Sequence, residues 1–544
     1  MHQTSLAEAL RAWKTILGAK HVSVDSDELR LASTATFATA SRVLAILRPG
    51  NRAEVQQSVR IAHQCHVSIF PVSSGKNWGY GSRVPAQDGV LLDLGRLNRI
   101  VDYNEELAYV TIEPGVTQGQ LYEYLQAKGG RLWMDATGAS PDCSIIGNTL
   151  ERGFGHTPMG DHCANSCAFE VVLPTGECVE TGFARFENAK AAPLSRWGVG
   201  PSLDGLFAQS NLGIVTRITV WLMPAPQYFQ AFFFKTSDPD GIGAIVDALR
   251  PLRLDQTLRS VVHIGNDFKV LTGTSHRPFD GSGVPVTLTP EIMSGIRAKL
   301  GIGCWNGSGG LYGTKAQVRE ARRRVQRALR GKVDRLQFVD DRFLALLRKL
   351  AGPLTLVTRW DVTHTLGVLE SVYGLMKGKP TRSTLASVYW PKKNVPIAPS
   401  DPDRDACGLL WCSPVVPNTG ADVSRASAIA TDTLLRFGFQ PQISVSLASE
   451  RTAICVVSIS YDRAQKGADA RASECYRVLT QLLIDEGYPP YRLNVNSTTA
   501  FEGSIEYTDA FRSLKEALDP HGVLSPGRYT PIAPRQIGHR EGVA

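Results

Sequence analysis

A glycine-rich stretch at residues 70–83 constrains the fold of this chain more than any other part of the sequence. It reads F-P-V-S-S-G-K-N-W-G-Y-G-S-R and follows an apolar, β-branched run. Its three glycines allow sharp turns, in which several backbone N–H groups can point at one anion. The stretch lacks both the G-K-[ST] ending of a P-loop and the G-x-G-x-x-G spacing of a Rossmann loop. We interpret it as a phosphate-binding loop, with a plain turn as the alternative.

The sequence around this loop predicts a β-α-β unit with further strands appended. Apolar spacing and turn residues place these elements. They are an amphipathic N-terminal helix, a strand at 43–47, a helix starting at Asn51, strands at 67–72, 89–95 and 108–112, and a helix at 118–128. This order predicts a layered α/β or α+β fold.

Two more glycine-rich segments follow, at residues 138–162 and 197–217. Each lies beside predicted strands, so the three loops together are expected to wrap one extended ligand. The composition changes after Pro226, where glycine clusters become rare and helices alternate with short strands. We therefore predict one domain at 1–226 and a second at 227–488.

Composition and charge exclude several classes of protein. The net charge of +8 is mild for 544 residues, and the densest basic run, 319–332, has the apolar stripe of a solvated helix, so no nucleic-acid partner is predicted. Ten cysteines occur without a C-x-x-C pair, which indicates neither a metal site nor a disulfide framework. No signal-peptide pattern and no long apolar run is present, so we expect a cytoplasmic protein without a membrane span.

Seven segments in a fixed order resemble the flavoproteins of the vanillyl-alcohol oxidase and 4-cresol methylhydroxylase family, most closely the 4-cresol methylhydroxylase and eugenol hydroxylase subunits. The resemblance implies an α+β, two-domain FAD-binding fold, with a central cap domain for the substrate and a tail, 489–544, that completes the FAD domain. The segments are 73–81, 147–162, 203–216, 221–224, 246–253, 488–492 and 524–528.

The same resemblance implies which residues hold FAD. The loop residues that match the family's pyrophosphate site are Ser74, Gly75, Lys76 and Asn77. The residues that match other cofactor-holding positions are Gly147, Asn148, Gly160, Asp161, Asn211 and Ile214.

On the substrate side, the resemblance assigns Tyr80, Tyr491 and Arg492 to the phenolate oxygen and Arg528 to charge near the flavin. Two phenolic donors and a guanidinium around one oxygen would stabilise a phenolate. A phenolate directs electron density to the para position, so a hydride can leave the para-benzylic carbon for the flavin and give a quinone methide. The implied outcome is hydroxylation, dehydrogenation or alcohol oxidation of a 4-substituted phenol.

The sequence departs from the family at positions that bear on the cofactor and the base. Residues that link or surround the flavin in family members fall here on Val388, Thr384 and Leu409, and the oxidase base falls on Ala139. Two candidates for a covalent flavin link remain: Tyr389, next to Val388, and Cys143, by its similarity to a cysteine of berberine-bridge-type flavoproteins. A small buried thiol is the alternative for Cys143.

These departures leave two alternatives open. The enzyme could act on a larger phenolic natural product such as a lignan, or the chain could be a non-catalytic, flavin-binding partner subunit. The electron acceptor is either oxygen or a cytochrome c partner, and a cytochrome partner would make a periplasmic location conceivable. The resemblance also implies a homodimer or a higher oligomer.

Overall fold

The computed structural model describes residues 2–275, 277–280, 285–358, 362–395, 400–497 and 504–529. The strands are β1 Val22–Ser23, β2 Val43–Leu47, β3 Ile69–Val72, β4 Gly89–Asp93, β5 Ile100–Asn104, β6 Tyr109–Ile112, β7 Leu132–Trp133, β8 Ser166–Val172, β9 Cys178–Glu180, β10 Ile214–Trp221, β11 Met223–Pro224, β12 Tyr228–Thr236, β13 Val262–Asn266, β14 Trp305–Gly313, β15 Arg335–Val339, β16 Cys407–Cys412, β17 Val415–Pro417, β18 Gln442–Leu447 and β19 Thr452–Asp462.

Helices connect and cover these strands. They are α1 His2–Leu17, α2 Ser26–Ala32, α3 Arg52–Cys65, α4 Gln118–Ala127, α5 Ile145–Leu150, α6 Ile242–Leu254, α7 Asp267–Thr274, α8 Pro290–Leu300, α9 Lys315–Leu329, α10 Asp341–Thr358, α11 Val362–Leu375, α12 Ala386–Tyr389, α13 Gly420–Arg436, α14 Ala468–Asp485 and α15 Ile505–Leu518. Within the described ranges, no helix combines the length and apolar character that crossing a membrane requires.

The first sheet is the predicted β-α-β unit. Its strand order is β1-β2-β4-β3, with β2, β3 and β4 parallel. The Asn51 side chain accepts a hydrogen bond from the Glu54 backbone N–H and so caps α3, the helix predicted to start at this residue. Helices α1 and α3 pack together, and the fully buried Trp13 donates to the Ser58 carbonyl at 3.0 Å. The strand after α3 then delivers the chain into the glycine-rich loop.

A second sheet of five antiparallel strands follows, in the order β5-β6-β10-β8-β9. Here the predicted boundaries are less accurate. Local apolar spacing predicts strands at 171–174 and 218–223, whereas β8 spans Ser166–Val172 and β10 begins at Ile214, within a glycine-rich segment. Tertiary pairing extends both strands beyond what local spacing indicates.

The third sheet begins after Pro226, where the composition changes. Its order is β15-β12-β14-β13-β18-β19-β16, with β17 paired to β19. A large apolar cluster lies between this sheet and α6, α9, α13 and α14. The C-terminal segment then returns to the first sheet. Ile69 forms a β-bridge with Leu524, and the Ile69 N–H donates to the Val523 carbonyl at 2.9 Å.

The domain boundaries at 226 and 488 stay a prediction, and two features of the structure lie near them. The eight-stranded sheet starts at residue 228, and the segment after residue 504 packs on the first two sheets through buried Leu524 and through Lys515, whose ammonium donates to the Asn211 carbonyl at 2.6 Å. Residues 530–544 of the predicted tail lie outside the described residues.

Candidate active site

A cavity of about 720 Å³ lies where the first two sheets, the eight-stranded sheet and the C-terminal segment meet. Its walls are formed by the glycine-rich loop, by residues 138–156, by residues 207–215 and by side chains from one face of the large sheet. A space of this size is typical of a site that takes a sizeable organic ligand. All three glycine-rich segments of the sequence contribute to it.

Two glycines give the loop its shape. Gly75 and Gly79 have φ of +67° and +78°, a left-handed conformation that side chains disfavour. A β-carbon on Gly79 would also overlap the Trp411 ring, which packs directly against the loop. The loop is tied down at Ser74, whose Oγ accepts from the Ser144 N–H at 3.0 Å, and at Lys76, whose Nζ lies 2.9 Å from an Asp401 carboxylate oxygen.

Most of the residues predicted to bind the cofactor line this cavity. They are Ser74, Gly75, Lys76, Asn77, Gly147, Asn148 and Ile214. A β-carbon on Gly147 would approach Ser73 Oγ at 2.6 Å, so glycine is required for this close packing. The buried Trp78 Nε1 and Thr384 Oγ1 have no hydrogen-bond partner among the described residues, although both side chains line the cavity. Unsatisfied polar atoms around a cavity of this volume fit a polar, ring-bearing cofactor.

Other predicted residues lie beside the cavity rather than in its lining. Gly160 donates to the Thr157 carbonyl, Asp161 accepts from the Ala164 N–H, and Asn211 donates to the Ser525 carbonyl. Gly160 and Asp161 therefore shape the turns at 157–164, and Asn211 joins the third glycine-rich segment to the C-terminal segment. Their proposed role is support of the cofactor-binding segments.

The two candidates for a covalent link differ in position. Cys143 lines the cavity, and burial raises the pKa of its thiol to about 12. The Tyr389 side chain is not part of the lining, although its neighbour Val388 is. The Tyr389 hydroxyl donates to Asp405 at 2.6 Å, so a flavin link there would have to break this hydrogen bond.

Tyr80, Tyr491 and Arg492 come together at one end of the cavity, as the resemblance implied. The Arg492 guanidinium lies over the Tyr80 ring, 4.3 Å from its centroid, and the Tyr491 hydroxyl interacts with both residues. The hydroxyls of Tyr80 and Ser413 share a hydrogen bond of 2.9 Å. Burial raises the pKa of each tyrosine above its ordinary value, so both hydroxyls keep their protons at neutral pH. The cluster therefore offers two O–H donors and a cation.

Glu151 orders this cluster, and our sequence analysis missed it. Arg492 Nε donates to Glu151 at 2.9 Å, Arg528 at 3.1 Å, and the Tyr529 hydroxyl donates to the same carboxylate. Burial alone would raise the pKa of Glu151, but Arg492 and Arg528 outweigh it and hold that pKa at about 2. The signal that could have found this residue is its place in the glycine-rich segment T-L-E-R-G-F-G, because two arginines in one cavity require a counter-charge.

The histidines of the cavity are weak bases. The rings of His156 and His263 lie 4.2 Å apart, and burial lowers the pKa of both. His162, outside this lining, is held between Asp135 and Asn148 at 2.6 Å on each side. Glu151 is the one carboxylate among the described lining residues. Ala139, at the position of the oxidase base, lines the cavity without offering a proton acceptor.

Comparison with known proteins agrees with this geometry. Residues 43–182 match the family model of an FAD binding domain, which confirms the predicted cofactor. Over 97% of its length, the chain is 43% identical to the 1'-carboxy-chondrochloren decarboxylase of Chondromyces crocatus, covering 98% of that protein. It is 30% identical, over 97% of its length and 96% of the relative, to the flavoprotein subunit of the hydroxylating 4-cresol dehydrogenase of Pseudomonas putida. Among solved structures, the isoeugenol complex of 4-ethylphenol oxidase from Gulosibacter chungangensis matches with a TM-score of 0.87 at 27% identity, covering 97% of each chain.

Proposed function

Because this chain belongs to the vanillyl-alcohol oxidase and 4-cresol methylhydroxylase family of FAD-dependent oxidoreductases, we propose that it oxidises the para side chain of a 4-substituted phenol. The observation that carries the proposal is the convergence of Tyr80, Tyr491 and Arg492 at one end of the cavity. This cluster also argues against the non-catalytic alternative, because a protein that only bound flavin would not need it.

The cluster would bind and ionise the phenol. The two protonated tyrosines donate to the substrate oxygen, and Arg492, fixed by Glu151 and by Asn77 at 2.6 Å, keeps its charge beside them. Charge-assisted hydrogen bonds of this kind stabilise the phenolate over the phenol. The electron pair on the oxygen is then available to the para carbon.

Bound FAD would supply the acceptor for the hydride that leaves the side-chain carbon next to the ring. Ser74, Gly75, Lys76, Asn77 and Gly147 are the residues proposed to hold it. Arg528, paired with Glu151 at the same wall, would keep positive charge near the acceptor. Loss of the hydride converts the phenolate to a quinone methide, whose fate depends on the groups around it.

A second candidate outcome is oxidative decarboxylation. Adding water to a quinone methide is helped by a base, and the described lining residues offer only Glu151, held at a pKa of about 2, and two histidines whose pKa values are lowered. A side-chain carboxylate one carbon further out needs no such base. It leaves as CO2, the electron pair of the broken C–C bond forms the side-chain double bond, and the ring returns to the phenolate. A relative named as a decarboxylase makes this outcome worth testing.

The test is anaerobic mixing of the purified holoenzyme with paired phenols. The two phenols are 4-propylphenol and 3-(4-hydroxyphenyl)propanoate. Each is paired with its 4-methoxy ether, which cannot form a phenolate. We expect the flavin absorbance to bleach with at least one phenol and with neither ether. Bleaching by the ethers would remove the phenolate cluster from the mechanism, and a flavin that no phenol reduces would favour the non-catalytic alternative.

Product analysis separates the outcomes. Release of CO2 with 4-vinylphenol from the acid indicates decarboxylation, whereas oxygen incorporated from labelled water indicates hydroxylation. Admitting air to the reduced enzyme tests oxygen as the acceptor. Failure to reoxidise in air, together with rapid electron transfer to added cytochrome c, would support the cytochrome alternative.

A further inference from the structure

The cavity contains one lysine that its surroundings do not neutralise. Among the described lining residues, Lys76 is paired with Asp401, and Arg492 and Arg528 share Glu151. Lys269, the remaining lysine or arginine of the lining, forms no ion pair with a described residue. A cation held away from water without a counter-ion is costly, so the site is suited to an anion that arrives from outside.

The position of Lys269 relates it to the phenol-binding end. Lys269 lies on α7, which packs on β13, β18 and α12 of the cap region. Its Nζ lies 5.0 Å from the centre of the Trp411 ring, a cation–π contact. The Trp411 side chain in turn packs on Gly79, and the Trp411 backbone N–H donates to the Gly79 carbonyl at 3.2 Å. Two successive contacts therefore connect the ammonium to the residue that precedes Tyr80.

The surroundings hold this side chain in place. Gly265 leaves room for the stem of Lys269: a β-carbon there would lie 3.3 Å from Lys269 Cγ. Burial lowers the pKa of Lys269 to about 8, and no neighbouring carboxylate raises it. The ammonium is still the major form at neutral pH.

We propose that Lys269 binds a carboxylate on the para side chain of the substrate, so that the enzyme selects 4-hydroxyphenyl compounds with an acidic side chain. The inference rests on the proposed function, since it takes Tyr80, Tyr491 and Arg492 to hold the other end of the same molecule. The FAD pyrophosphate is a less suitable partner. The loop proposed to hold it, residues 74–77, supplies its own ammonium in Lys76.

The experiment compares the acid-to-neutral ratio of kcat/KM for 3-(4-hydroxyphenyl)propanoate and 4-propylphenol in wild-type, Lys269→Met and Lys269→Arg holoenzymes. We expect Lys269→Met to lower this ratio by about 10- to 100-fold, the range expected for one charge-assisted contact. Lys269→Arg should recover most of the loss. Lys392→Met is the matched control, because it removes an ammonium that is paired with Asp462 and does not line the cavity, and it should leave the ratio within about threefold.

A ratio that Lys269→Met leaves unaltered, or loss of FAD from this variant without a change in ratio, would overturn the inference. Binding gives an independent reading: both phenols are titrated against the oxidised flavin spectrum of the wild-type and Lys269→Met proteins. If neither phenol reduces the wild-type flavin, the proposed function fails. The carboxylate site is still supported if the wild-type protein binds the acid more tightly than the neutral phenol and Lys269→Met abolishes this difference. Equal binding of the acid to both proteins contradicts it.

Discussion

The guanidinium of Arg492 lies over the ring of Tyr80, with 4.3 Å between its central carbon and the ring centroid. The same guanidinium donates to Glu151 and to Asn77. Arg492 therefore joins the tyrosine proposed to bind the substrate, a buried counter-charge and the loop proposed to hold FAD. A planar group with several donors can do this, whereas the single ammonium of a lysine cannot.

Arg492→Ala should slow the reaction with phenols severely. Losing a charge-assisted contact to the phenolate is expected to cost on the order of 2–4 kcal/mol in transition-state stabilisation. Arg492→Lys keeps the charge and should recover only part of it, because its geometry differs. The measurement is the rate of anaerobic flavin bleaching with the best phenol, and a fall in kcat/KM of less than threefold in Arg492→Ala would contradict the proposed cluster.

Glu151→Gln should destabilise the protein in a pH-dependent way. The pKa of Glu151 falls from an ordinary 4.5 to about 2 in the folded protein, so its contribution is fully present above about pH 4.5 and is lost as the pH falls through about 2. At pH values above about 4.5, we expect Glu151→Gln to lower the free energy of unfolding by on the order of 2–3 kcal/mol.

The difference in unfolding free energy between wild type and Glu151→Gln should therefore shrink on acidification. Glu105→Gln is the control, because Glu105 pairs with Arg131 at the surface and its loss should cost less than about 1 kcal/mol. If the difference in unfolding free energy between wild type and Glu151→Gln stays constant from neutral pH to the lowest pH at which the protein folds, the arginines do not lower the pKa of Glu151 as described.

Ala139→Asp should change the fate of the oxidised substrate. Ala139 lines the cavity, and in the resembling oxidases an acidic base stands at this position. A carboxylate there would assist the addition of water, so the share of hydroxylated product from a neutral phenol should rise by about threefold or more. Ala139→Asn matches its size without the charge, and an equal rise in both variants would assign the effect to shape.

Acid precipitation of the wild-type protein should release its flavin. The Cys143 thiol has a pKa raised to about 12 by burial, and the Tyr389 hydroxyl is engaged with Asp405, so neither is prepared to attack the flavin ring. A pellet that keeps the flavin absorbance would contradict this expectation. Cys143→Ala and Tyr389→Phe would then identify which residue forms the bond.

The sequence predicts the ligand-binding loops better than the charges that order them. Residues 73–81 were recognisable because glycine and serine determine a tight turn locally, and Tyr491-Arg492 stand in a short segment with a matching motif. Glu151 lies within a matching segment and Lys269 lies in none, but at neither position does the sequence show which charges surround the side chain. Their significance depends on which charges they meet: Glu151 meets two arginines from distant segments, whereas Lys269 lies opposite no described carboxylate. Strand limits such as the start of β10 failed for the same reason, because pairing with β8, a strand some 40 residues earlier, sets that limit.

The pairing of Ile69 with Leu524 also has a consequence for how the cell makes this protein. The strand that leads into the glycine-rich loop is completed by a segment some 450 residues later, and Arg528 and Tyr529 of that segment contribute to the cavity wall. N-terminal parts of a chain begin to fold during synthesis, but this cavity cannot close until residue 529 has left the ribosome. FAD bound in this cavity would therefore be enclosed only after the C-terminal segment at 504–529 has been synthesised.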